Sequence, residues 1–81
     1  MVFNFGNKEF FSADQWEMVE DDGVLVLCLY VGLYYRKIIF PSDQKGYARD
    51  VMTRALKENL FYWSGDYTAD EDSSYINVNN M

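Results

Sequence analysis

The sequence predicts an α+β domain: a small antiparallel sheet of three to five strands packed against one main helix. Three observations carry that reading. An Asp22-Gly23 pair sits between two strand-like runs, and Asp-Gly accepts the positive φ values of a two-residue hairpin turn. Residues 24–35 form an uncharged run of twelve, rich in Val, Leu and Tyr. From Tyr47 onward, apolar residues recur at helical period.

Taken in order, Val2-Phe3-Asn4-Phe5 alternates and is expected to pair with Glu9-Phe10-Phe11 across Gly6-Asn7. Ser12-Ala13-Asp14-Gln15 fits a capping box, so residues 13–20 read either as a short helix or as a strand. The Asp-Gly turn and the Trp-Glu-Met-Val run favour the strand. Val24 to Val31 is apolar on both faces, the mark of a central strand covered at least partly on its second side. Gly32-Leu33 reads as a turn or bulge, and a further strand runs from Tyr34 to Phe40, where Pro41 removes a ladder donor.

Ser42 or Asp43 can cap the helix. Tyr47, Ala48, Val51, Met52, Ala55, Leu56 and Leu60 form one stripe, predicting a helix over about 43–61 with Gly65 as its stop. Asp50 and Arg54 stand four apart and can support it. Residues 66–81 read as an acidic tail in which Tyr75-Ile76-Asn77-Val78 can form an edge strand. All 81 residues are expected to form one domain.

Composition narrows the function classes. At 49% apolar, with fifteen aromatic residues, the chain is too hydrophobic to be disordered throughout. One cysteine cannot build a disulfide framework. The uncharged run falls short of the roughly 20 residues of a membrane span, and no association with a membrane is expected. The first residues lack a basic segment followed by a long apolar one, so no signal peptide is expected. A lone Cys28 in an apolar run suits a reducing compartment, and the expected location is cytoplasmic.

Chemistry has few carriers. The chain has no histidine, so the Ser-His and Cys-His pairs of nucleophilic catalysis are excluded. Cys28 reads as packing, and no glycine pattern forms a phosphate cradle. The acidic runs do not follow the spacing of a calcium loop. No enzyme activity, cofactor or metal is expected.

Charge is the informative feature. The net charge is −6, but it is distributed in blocks. Residues 1–35 carry −5, residues 36–57 carry +4 and residues 58–81 carry −5. Lys45, Arg49 and Arg54 with Tyr47 could contact phosphates, but the overall field opposes direct nucleic-acid binding. The carboxylates suggest the reverse, a surface that imitates a row of phosphates. Candidate acids are Glu17, Glu20, Asp21 and Asp22 near Trp16, and Asp66, Asp70, Glu71 and Asp72 near Trp63, Tyr67 and Tyr75. The four aromatics are the candidate anchors. The same acids would also serve simply to keep a small domain soluble.

In size and composition the whole chain resembles the small acidic inhibitors that bacteriophages make against host enzymes and defence systems. It also resembles the immunity proteins that neutralise bacterial toxins. Either resemblance implies a protein partner whose basic active or nucleic-acid-binding site is covered. The expected function is therefore a non-enzymatic inhibitor, with toxin immunity and a small self-associating subunit as alternatives. A homodimer is expected, because one helix cannot cover an apolar sheet on both faces.

Overall fold

The structure, a computed structural model, describes residues 1–71. Strands β1 (Val2–Phe5) and β2 (Glu9–Ser12) form the N-terminal hairpin, and β3 (Gln15–Asp21), β4 (Val24–Val31) and β5 (Tyr34–Ile39) form a meander. A 3₁₀ turn at Ser42–Gln44 leads into helix α1 (Lys45–Glu58). Strands β6 (Leu60–Tyr62) and β7 (Thr68–Glu71) follow. The fold is α+β, as the patterning predicts, but the strands divide into two sheets. One has the order β2-β1-β6 and the other β3-β4-β5-β7.

The meander forms for local reasons. Asp22 (φ 55°) and Gly23 (φ 79°) make the two-residue turn joining β3 to β4, with Asp21 opposite Val24. Two positive φ values match the twist of the flanking strands, and the strand reading of 13–20 holds over the helical one, the strand running over Gln15–Asp21. Alternation then sorts β4. Leu25, Leu27 and Leu29 enter the common core with Ile38 and Phe40, whereas Val26 and Cys28, although buried, lie outside that cluster on the opposite face.

The second layer closes over the Leu25, Leu27 and Leu29 face. Phe3 and Phe5 of β1, Phe61 of β6, Trp63, and Ala48, Val51, Met52 and Ala55 of α1 all belong to the same core. Burying aromatic rings of this size is how a domain this short fills its interior. The join between the layers includes a polar cluster at the hairpin. Arg36 of β5 is ion-paired with Glu9 of β2 and lies 5.5 Å over the Phe11 ring, and Glu9 also accepts a 2.8 Å hydrogen bond from the Tyr67 hydroxyl.

Three sequence expectations need correction. The helix ends at Glu58, because Asn59 adopts the left-handed conformation (φ 59°, ψ 30°) and its N–H bonds to the Ala55 carbonyl. Asparagine tolerates that conformation better than most residues, so the stop comes before Gly65. Leu60 accordingly leaves the helical stripe for β6, which pairs in parallel with β1: Val2 with Leu60, Phe3 with Phe61, Asn4 with Tyr62. Neither Ser42 nor Asp43 supplies a side-chain cap; they lie in the 3₁₀ turn instead. Finally, residues 68–71 of the acidic tail are a strand paired with β5. The strand expected at 75–78 lies outside the described residues.

Gly65 is packed tightly against two side chains, Gln44 and Trp63. Trp63 Nε1 donates to the Asp66 carbonyl at 3.0 Å, and the Asp66 N–H donates to Gln44 Oε1 at 3.1 Å. A Cβ on Gly65 would sit 2.5 Å from Gln44 Oε1 and 2.8 Å from Trp63 Cζ2. The glutamine can swing aside at the cost of its hydrogen bond; the Trp63 ring, only 1% exposed, has nowhere to go. Gly65→Ala is expected to lower stability by about 1–3 kcal/mol, the usual cost of overpacking. Urea denaturation should show a lower midpoint with an unchanged slope.

Candidate protein-docking face

The register of the four-stranded sheet decides which charges share a surface. Across β3-β4-β5-β7, one row reads Glu17, Cys28, Lys37, Asp70, and the next reads Val19, Val26, Ile39, Thr68. Tyr30 pairs with Gln15 and Tyr35 on the same side, and Asp21 with Val24. Because Val26 and Cys28 point away from the core, these rows form the outer face of the sheet. No described helix or strand belongs to this side.

Its centre is apolar and its edges are acidic. Val26 and Cys28 are buried, while Val19, Val24, Tyr30, Tyr35 and Ile39 are half-buried. The Tyr35 hydroxyl donates to Cys28 Sγ at 3.2 Å, and the Tyr30 and Tyr35 rings stand 5.3 Å apart. Glu17 and Asp21 are exposed along the edge strand β3, and Asp70 along the opposite edge strand β7. Asp22 stands at the exposed hairpin tip. Lys37 is the one base within these rows, beside Asp70.

Compared with known proteins, the chain matches no family model, no curated protein and no solved structure. The face must therefore be read from its own residues.

The expected acids do not all meet. Glu17, Asp21 and Asp70 share the face; Asp66 is exposed in the turn after Trp63. Glu71 ends β7 opposite Arg36, and Asp72 and Tyr75 lie outside the described residues. Glu20 has the opposite parity to Glu17 and Asp21, so it turns toward the helix. There it takes a 2.6 Å bond from Lys45 Nζ and an ion pair with Arg49. Two bases of the supposed phosphate-contacting helix face are thus engaged by Glu20.

The aromatic anchors are placed differently from expectation. Trp63 is 1% exposed, its ring 4.8 Å from those of Phe40 and Tyr47, so it is a core residue. Trp16 is half-buried on the inner side, edge-on to Phe3 at 6.0 Å. Tyr67 closes the seam, 4.9 Å from Phe5 and bonded to Glu9. The aromatic side chains on the outer face are instead Tyr30 and Tyr35. Alternation along the strands carried that signal, but only in combination with the register.

Glu20 offers a test of the helix contact. The hydrogen bond from Lys45, with the charges of Arg49 and Lys45, holds its carboxyl below the usual glutamate range against a smaller opposing effect of desolvation. A depressed folded-state pKa means that the contribution is complete above the ordinary value of about 4.3 and is lost as pH falls through the folded pKa. Glu20→Gln should therefore melt lower than the unaltered chain at pH 7. The gap should close as the pH is taken below about 4, as followed by circular dichroism.

Proposed function

We propose that the chain is a non-enzymatic inhibitor that covers a basic, nucleic-acid-binding site of a host or phage-defence protein, in the cytoplasm. The docking surface is the outer face of the β3-β4-β5-β7 sheet. The observation that carries this reading is the row register, which sets Glu17 and Asp21 on one edge and Asp70 on the other, with Val19, Ile39, Tyr30 and Tyr35 between them.

Physical chemistry supports the assignment in two ways. Edge strands β3 and β7 are three inter-strand spacings apart, about 14 Å. That is comparable with the width of roughly 12 Å across the B-DNA major groove, so carboxylates along the two edges would flank the strip between them as phosphates flank a groove. The apolar strip between them supplies desolvated contact area, which carried charge alone would not. A strand-borne site is also rigid, so little ordering is needed on binding. The sole thiol, Cys28, is 8% exposed and so is a poor nucleophile on access alone.

The test is kinetic. A partner captured from host lysate should associate at a rate that falls steeply between low and physiological salt, because the charges steer encounter over about a Debye length. The triple variant Glu17→Lys, Asp21→Lys, Asp70→Lys should slow association about tenfold or more, and a duplex oligonucleotide should compete for the same partner. All three side chains are exposed, so the fold should survive. A partner indifferent to salt, to the triple reversal and to the oligonucleotide would reject the proposal.

A further inference from the structure

The opposite side of the molecule carries a second face that no described helix or strand covers, of different character. In the three-stranded sheet the inner row is Phe11, Phe3, Phe61. The outer rows are Phe10, Asn4, Tyr62 and Ser12, Val2, Leu60. Phe10 is 64% exposed, Tyr62 52% and Leu60 44%. Tyr47 of α1, also exposed, joins Val51, Arg54, Glu58, Leu60 and Tyr62 around a groove of about 210 Å³ between the helix and β6. Large apolar side chains gathered this way are atypical of a surface that faces only water.

Charge indicates what covers the face. Its two outer rows hold no carboxylate and no base. Asn4, at the centre, keeps its Oδ1 away from solvent with no hydrogen-bond partner among the described residues. The groove rim holds one base and one acid, Arg54 and Glu58, and neither forms an ion pair among the described residues. Such a patch is its own complement. A two-fold axis would allow each Arg54 to face the other copy's Glu58, as the reciprocity of an isologous interface permits. A chain of net charge −6 repels its own copies, so self-contact needs a neutral patch. The acid-edged face would instead bring like charges together.

We infer that this chain self-associates as a two-fold dimer through the outer face of the β2-β1-β6 sheet, with Phe10, Leu60, Tyr62 and Tyr47 as its apolar contact. The four side chains expose on the order of 500 Å², against about 800 Å² per partner in a standard interface. The dimer is accordingly weak. Its salt response is the reverse of that of a charge-steered complex: added salt screens the mutual repulsion of the copies and leaves the apolar contact intact.

Sedimentation equilibrium of the full chain from about 1 to 500 µM tests this. The apparent mass should rise from 9.5 kDa toward twice that value with concentration, and rise further at higher salt. Tyr62→Glu and Phe10→Lys, both at exposed positions, should each weaken association tenfold or more. Glu17→Lys, on the far face, should not weaken it. Arg54→Glu should weaken it, and adding Glu58→Arg should restore it. A chain that stays at 9.5 kDa throughout overturns the inference and leaves the face to a different protein. So does a dimer that tolerates Tyr62→Glu and Phe10→Lys, or one that Glu17→Lys disrupts.

Discussion

The packing of Phe61 is the contact on which the two layers depend. The residue is wholly buried, and its ring centroid lies 5.7 to 6.4 Å from those of Phe3, Phe5, Phe40 and Trp63. These neighbours come from β1, from the segment after β5 and from the turn after β6. A single side chain therefore joins the N-terminal hairpin to the meander. Its backbone adds a second tie, since β6 pairs with β1 and the Trp63 N–H continues that ladder to the Asn4 carbonyl at 2.8 Å. Tilted and stacked ring pairs of this kind add to the gain from burial alone.

With the inner faces joined in this way, two outer faces are left over, and the period of two along each strand determines their contents. On the larger sheet, Glu17, Asp21 and Asp70 fall outward with Tyr30 and Tyr35. On the smaller one, the acids of the same chain are excluded and Phe10, Leu60 and Tyr62 fall outward. Glu9, the one carboxylate of the smaller sheet, points inward and is neutralised by Arg36. The molecule thus separates a charged surface from a neutral apolar one on its two sides.

Much of this was legible from residues that are close in sequence. The Asp22-Gly23 turn, the doubly apolar β4 and the Ala48, Val51, Met52, Ala55 stripe each announce themselves through local chemistry. The misses share another cause. Asn59 looks like an exposed helical residue, and Leu60 continues the stripe at the right spacing, so only the left-handed backbone at Asn59 reveals the stop. Three residues are too few to show alternation, and nothing local marks Phe61 as the partner of Phe3. In a chain with fifteen aromatics, tertiary packing decides which are anchors and which are core; hence Trp63 reads as an anchor and is buried. The acids were half legible. The even spacing of Glu17 and Asp21 already separates them from Glu20, but placing Asp70 beside them requires the pairing of β7 with β5.

The parallel pairing of β1 with β6 also bears on synthesis. Phe3 and Phe5 leave the ribosome ahead of Phe61, which is 56 positions behind Phe5. At about 5–20 residues per second, the interval is roughly 3–11 s. The β1-β2 hairpin can close at once, but it cannot hide its phenylalanines until the meander and then α1 and β6 have emerged. For those seconds the nascent chain presents an apolar hairpin to its surroundings, so the emergence of α1 and β6 controls when that hairpin becomes safe from aggregation.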